Sequence, residues 1–189
     1  MHCKRLHFLV FLLVIGFFSL DAQAASILFS DDFESGLGSW SNVSTGDTHN
    51  WTRDSGGTSS SYTGPSSGAN GSSYYMYMET SSGYAYTAGN SAILESPDIV
   101  AEGIQLEFEY HMYGSDIGTL SVDVLSDGTW INDVWSVSGQ QQTSYSAAYT
   151  VVNIDLSAYA VSRIRFRGTA AGGYRGDMAI DNIEILSTP

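Results

Sequence analysis

The sequence predicts an all-β chain built as a two-sheet antiparallel sandwich, and three observations predict it. Apolar residues fall in short or alternating runs, none extended at the 3.6-residue spacing of a helix. Gly, Ser, Asn and Asp separate the runs, and the chain carries 20 Gly against 3 Pro, so turn signals are dense. Ten candidate strands bounded in this way suit two packed sheets.

In order, the first candidate, 27–33, is an apolar run closing on Asp31, Asp32 and Phe33, and 50–53 is a short run around Trp51. In 74–79 Tyr75 and Tyr77 share one face while Met76 and Met78 take the other, and 91–94 is apolar after Ser91. In 105–112 Leu106, Phe108, Tyr110 and Met112 alternate with Glu107, Glu109 and His111. In 118–125 Leu120, Val122 and Leu125 sit among Ser121 and Asp123, and in 162–168 Ile164 and Phe166 alternate with three arginines. Each of these two runs is expected to keep one face wet. Runs 130–136, 149–155 and 178–186 complete the set, and all four tryptophans, Trp40, Trp51, Trp130 and Trp135, are expected to be buried. The Ser/Gly-rich segment 54–73 reads as a long surface loop.

The N-terminus reads as a signal peptide. His2, Lys4, Arg5 and His7 give a basic start, and 8–20 is an apolar run broken only by Gly16 and Ser19. At about 1.5 Å per residue such a run spans roughly 20 Å, short of the ~30 Å hydrocarbon core of a bilayer. Ala22-Gln23-Ala24 supplies a small-x-small cleavage site, so 1–24 is the expected leader and 25–189 the expected single domain, secreted, at the cell surface, or periplasmic. No later run is long enough to span a membrane. The lone cysteine, Cys3, leaves with the leader, so no disulfide braces the domain.

The formal net charge is −13, and loss of Lys4, Arg5 and Asp21 with the leader makes it one unit more negative. The mature chain contains no lysine, and its cations are Arg53, Arg163, Arg165, Arg167 and Arg175. Such a surface repels phosphate backbones and anionic lipid, which excludes nucleic acid as a partner.

Several segments, in order, resemble the MAM domain, the extracellular module of meprins, receptor tyrosine phosphatases and neuropilins. They are Asp32-Phe33-Glu34; Asn50-Trp51-Thr52-Arg53; Thr63-Gly64-Pro65-Ser66-Ser67; Tyr74-Tyr75-Met76-Tyr77; Leu94-Glu95-Ser96-Pro97; Phe108 through Gly114; Gly118-Thr119-Leu120; Trp135 through Gly139; and Gly173 through Ile183. The resemblance implies a jelly-roll sandwich of concanavalin-like shape, an adhesion or protein-contact role, and no catalysis of its own. It also implies disulfides that this chain lacks, so the chain resembles a prokaryotic version of the module.

Asp32 and Glu34 close the first strand and Asp181 lies on the last, and hard oxygen ligands brought together there suit Ca²⁺. The resemblance points to a cation site at the same residues. Where relatives carry an acidic residue after Gly-Pro-Ser-Ser, this chain has Gly68, Ala69 and Asn70, so Asn70 is the substitute candidate. Tyr84 and Tyr86, flanked by Ser, Gly and Thr, are the candidate exposed binding platform.

No catalytic residue is assigned. Glu107 and Glu109, at i and i+2 on one strand face, stand about 7 Å apart, between the separations of retaining and inverting glycosidases. The Glu-x-Asp-x-x-Glu pattern of the sandwich-fold glucanases is absent, and so is a Gly-x-Ser-x-Gly elbow. Arg175-Gly176-Asp177 spells an integrin-read tripeptide but falls within the late strand motif. The expected function is thus a non-catalytic adhesion or binding module contacting an extracellular protein or glycan. The alternative is a glycan-active enzyme or carbohydrate-binding module of the lectin-like sandwich class.

Overall fold

A computed structural model describes residues 24–188, so the expected leader, apart from Ala24, lies outside the described residues. Its eleven strands are β1 (Ser26–Asp31), β2 (Ser41–Asn42), β3 (Thr52–Ser55), β4 (Tyr74–Met78), β5 (Ser91–Glu95), β6 (Ile104–Met112), β7 (Thr119–Ser126), β8 (Thr129–Ser138), β9 (Thr150–Asp155), β10 (Val161–Thr169) and β11 (Met178–Ser187). All ten predicted strands are present, and the two-residue β2 is the addition. Among the described residues no helix is long and apolar enough to cross a membrane.

The strands form two antiparallel sheets, ordered β3-β4-β11-β6-β9 and β2-β5-β10-β7-β8. β11 pairs with β6 along one side, and on its other side β4 covers Met178–Ile180 while β1 covers Ile183–Ser187. The chain's first and last strands therefore lie side by side, with Asp31 opposite Ile183.

Alternation decides which side chains enter the core. Leu106, Phe108, Tyr110 and Met112 of β6 meet Leu120, Val122 and Val124 of β7 and Ile164 and Phe166 of β10 between the sheets. The Phe108 and Phe166 ring centroids are 4.8 Å apart, and Trp135 stands edge-on to Phe108 at 5.3 Å. Substituting the fully buried Ile164 with Val is expected to lower unfolding free energy by about 1 kcal/mol, read from the denaturant midpoint at unchanged m.

The structure corrects four sequence expectations. Val124 rather than Leu125 is the third inward residue of β7, because β7 pairs β8 with a register shift between Val122 and Val124. Trp40 and Trp51 are buried, but Trp130 and Trp135 are half-buried, since β8 is an edge strand. The outer face of β7 and β10 is not simply wet: Ser121 and Asp123 are fully buried there. Arg165 and Arg167 lie across Asp123, and Arg165 also stacks on Trp130 at 4.1 Å. Finally, the stretch after β3 is not a free surface loop. Thr63, Gly64, Pro65, Gly68 and Ala69 are buried as it folds back over the first sheet.

Candidate functional site

The outer face of the first sheet divides into a roofed half and an open half. In the register of β3, β4, β11 and β6, Thr52, Tyr77, Ala179 and His111 line up across the face, followed by Asp181 and Glu109, then Glu184 and Glu107. Under the roof, Tyr75, Tyr77 and Ala179 form a second apolar cluster closed by Tyr149. His111 is buried against Tyr149, ring centroids 5.2 Å apart, and burial pushes its pKa down to about 4, so the ring is neutral. Alternation puts Glu107, Glu109 and His111 on one face, outward from the core, which reads as solvent-facing; they do share the face, but the roof covers His111 and nearly all of Glu109.

The roof is fastened by carboxylates. Asp181 accepts hydrogen bonds from the Ala69 N–H at 2.7 Å, the Ser72 hydroxyl at 2.8 Å and the Asn182 N–H at 2.8 Å. Glu34 accepts from the N–H groups of Ser73 and Tyr74 at 2.7 and 2.6 Å. Glu109 Oε1 accepts from the amides of Asn70 at 2.6 Å and Asn182 at 2.9 Å. Gly68 is required at the centre, because a Cβ there would press on the Ser72 hydroxyl, the Tyr74 carbonyl and the Asp181 carboxylate. Burial pushes the Asp181 pKa up to about 6.

Of the candidate cation ligands, Asp181 and Glu34 engage the 68–74 segment, Asn70 lies within it and donates to Glu109, and Asp32 is exposed and accepts the N–H of Glu34. The oxygen donors suit a hard cation in kind. Their near lone pairs are taken by N–H and O–H donors, and among the described residues no group of three or more His, Cys, Asp or Glu is placed to share one ion. Beside the roof an open cleft of about 640 Å³ is lined by Asp31, Asp32, Glu107, Glu109 and Glu184, with Asn182 at the bulge of β11.

A different surface forms where three loops meet at one end of the sandwich. The hydroxyls of Ser60 and Ser81 lie 2.9 Å apart, joining the loops after β3 and β4, and the Gly173 N–H donates to the Tyr86 carbonyl, joining the β10–β11 loop to them. Tyr62, Tyr84, Tyr86 and Tyr174 are all exposed there. Tyr84 and Tyr86 are thus the platform candidates the sequence placed, while Tyr62 and Tyr174 were missed. Tyr62, between Ser61 and Thr63, carried the signal used for Tyr84, whereas Tyr174, between Gly173 and Arg175, carried it on one side only.

The Arg-Gly-Asp tripeptide borders this surface without presenting its aspartate. Asp177 is fully buried, accepting from the Thr80 N–H at 2.9 Å and the Thr80 hydroxyl at 3.1 Å, and the Gly176 N–H donates to the same hydroxyl. Burial, reinforced by Glu79, pushes the Asp177 pKa up to about 6.

Two packed antiparallel sheets with elaborated loop ends define a β-sandwich of the class found in adhesin and carbohydrate-binding domains. The family model described as "MAM domain, meprin/A5/mu" matches residues 32–189. MAM domain-containing glycosylphosphatidylinositol anchor protein 1 of Rattus norvegicus is 34% identical over 149 residues, covering 74% of this chain and 15% of that protein. MAM domain-containing protein 2 of Mus musculus is 32% identical over 142 residues, covering 74% of this chain and 20% of that protein. The chain belongs to the MAM domain family, and it spans no more than about a fifth of the length of these relatives. Among solved structures, the K3 adhesin domain of Lys-gingipain from Porphyromonas gingivalis superposes with a TM-score of 0.63 at 18% identity, covering 87% of this chain and 99% of that one. The mannan-recognising carbohydrate-binding module TmCBM27 superposes at 0.51 and 14% identity, covering 88% and 100%.

Proposed function

We propose that this chain is a non-catalytic binding module acting outside the cytoplasm, secreted or held at the cell surface, whose tyrosine-bearing loop end contacts a protein or glycan partner. The observation that carries the reading is the convergence of Tyr62, Tyr84, Tyr86 and Tyr174 on three hydrogen-bonded loops. Tyrosine supplies contact area with little entropy to lose, and an exposed cluster of such rings marks a contact surface. MAM-family membership and the glycosylphosphatidylinositol-anchored relatives support the extracellular setting. The acidic composition disfavours nucleic acid and anionic lipid. Against catalysis stands Glu109, whose carboxylate is buried and held by two amides rather than free to move a proton.

The test is incubation of the purified mature chain with a panel of polysaccharides and extracellular matrix proteins, following both retention and release of reducing sugar. Retention without turnover is expected. Sugar release that disappears in Glu107→Gln overturns the non-enzyme reading. A structural Ca²⁺ at Glu34 and Asp181, with Asp32 and Asn70 nearby, belongs to the same proposal and would have to displace the Ser73, Tyr74, Ala69 and Ser72 donors that these carboxylates now accept from. An ion binding the native state raises the melting temperature after chelation and readdition, and an unchanged melting temperature removes it from the account.

A further inference from the structure

We infer that Arg175, held between the rings of Tyr62 and Tyr174, is a carboxylate-reading subsite of the loop end, and that its ligand is a glycan carrying uronate groups among neutral sugars. This rests on the binding-module reading above and names the ligand class for the same surface.

The case begins with what the other arginines do. Arg163, Arg165 and Arg167 pair with Glu95, Asp98, Asp123 and Asp133, and Arg53 donates to the carbonyls of Phe33 and Glu34. Among the described residues, Arg175 is the arginine whose guanidinium meets neither a carboxylate nor a main-chain carbonyl. Its Nε donates to the Tyr174 hydroxyl at 3.1 Å, which leaves both terminal nitrogens without a protein partner. The nearby Asp116 accepts from the Arg175 main-chain N–H and the Ser115 hydroxyl, and it makes no ion pair with the guanidinium. In a chain of net charge −13, an arginine left unpaired among so many carboxylates is available for an anion from outside.

Its setting fits a planar anion. The guanidinium carbon lies 5.2 Å from the centroids of both the Tyr62 and the Tyr174 ring, so two aromatic residues restrict the fork. A restricted guanidinium presents parallel N–H donors in the geometry of a carboxylate and loses little freedom on pairing. Tyr62 has φ = 66°, a left-handed conformation that a bulky side chain rarely adopts, and its ring stays exposed. The backbone is tied down beside each residue: past Tyr62 the Gly64 N–H donates to the Tyr113 carbonyl, and the Asp116 N–H donates to the Arg175 carbonyl. The exposed ring is a consequence of a fixed loop.

The rest of the surface favours a sugar over an acidic peptide. The exposed large aliphatic residues Ile27, Val100, Ile131 and Val151 all lie away from these three loops. The loop end offers tyrosine rings separated by Ser, Thr and Gly, which suits stacking on sugar faces and hydrogen bonding to hydroxyls. The overall negative charge sets the density of ligand charge: a densely sulfated polymer is repelled, whereas a spaced carboxylate is accepted at Arg175.

The deciding experiment is affinity electrophoresis of the mature chain in gels containing glucuronoxylan, the same glucuronoxylan with its carboxyl groups reduced, a densely sulfated glycan, or poly-glutamate. The expected result is retardation by glucuronoxylan that weakens about tenfold on carboxyl reduction, the size of losing a charge-assisted hydrogen-bond pair. Arg175→Gln should abolish that difference without lowering the melting temperature, because the side chain carries no structural ion pair. Tyr62→Ala should weaken both glycans by loss of stacking and reduce the discrimination between them, because the ring also restricts the Arg175 guanidinium. Equal retardation by native and reduced glucuronoxylan, discrimination retained in Arg175→Gln, or retardation by poly-glutamate alone overturns the inference. If discrimination fails while Tyr84→Ala still weakens retention of some other partner, the binding-module reading stands and the uronate assignment falls.

Discussion

Asp123→Ala should lower the unfolding free energy by about 3 kcal/mol, the largest effect expected of any polar substitution in this chain. Asp123 is fully buried on the outer face of the second sheet, yet its two oxygens accept from Arg165 at 2.9 Å, from Arg167 at 3.0 Å through two nitrogens, and from the Asp133 N–H at 2.8 Å. These bonds outweigh its burial and hold its carboxyl below the usual range. Removing it leaves two half-buried cations side by side on the outer face of β10 and strips the bulge at Asp133, where φ is 56°, of its acceptor. The loss stays at the lower end of the range for a broken buried pair because Arg165 keeps Trp130 and Asn132, and Arg167 keeps Asp133. Asp123→Asn, which preserves one acceptor, should cost less. Urea unfolding with a common m separates the two variants, and equal stability of Asp123→Ala and the parent would contradict this account of the face.

Acidification from pH 7.5 towards 5 should stabilise the parent chain relative to Asp177→Asn. Asp177 has no cation beside it, and burial with Glu79 nearby raises its pKa to about 6 from 3.8. The native state therefore binds a proton that the unfolded chain does not hold between those two values. Its stabilisation is complete below the unfolded pKa and is lost as pH rises through about 6. Over the full span the size is about 3 kcal/mol, at about 1.4 kcal/mol per pKa unit, of which roughly half is present by pH 5. Asp181 acts in the same direction. His111 acts oppositely within the same window, because burial lowers its pKa from 6.5 to about 4 and the unfolded chain gains that proton first; Glu79 and Asp123, whose pKa values are also lowered, lose their contribution only as pH falls through their folded values. The melting temperature, followed in chelator, should separate parent and variant more at pH 5 than at pH 7.5. A difference between parent and Asp177→Asn that stays the same from pH 7.5 to 5 would contradict the assignment.

The fold was legible because its signals are local. Period-2 alternation in β6 and β10 fixed the inward set Leu106, Phe108, Ile164 and Phe166, and the Tyr75/Tyr77 split from Met76/Met78 is the division between the outer cluster and the core. What alternation does not encode is a second layer on an outward face. Asp123 and His111 are polar residues at outward positions, which reads as solvent. Their burial depends on Arg165 and Arg167 in one case, and on Tyr149 and the folded-back 56–73 segment in the other. Both are long-range contacts that spacing along one strand cannot announce. The register slip that brings Val124 inward is likewise a property of the β7–β8 pair rather than of β7.

The candidate site was half legible for the same reason. Tyr84 and Tyr86 stood out as aromatics in a polar, glycine-containing loop, and the structure leaves both exposed. Tyr62 and Arg175 carry meaning only together, since they are far apart in sequence and meet where the loops after β3 and β10 converge. The acidic residues were gathered in part: β1 does lie beside β11, but Glu34 and Asp181 reach the 68–74 segment while Asp32 turns to its own backbone.

The central claim is that binding uses the tyrosine-bearing loop end and not the acidic cleft. The most direct measurement compares two double variants, Tyr84→Ser/Tyr86→Ser at the loop end and Glu107→Gln/Glu184→Gln in the cleft, by retention on the panel of glycans and matrix proteins. Both pairs are at least partly exposed, so both variants should keep the parent melting temperature to within a few degrees. The account predicts that the loop-end variant loses retention and the cleft variant keeps it. Retention lost by the cleft variant alone, or no member of the panel retaining the parent chain, would contradict it.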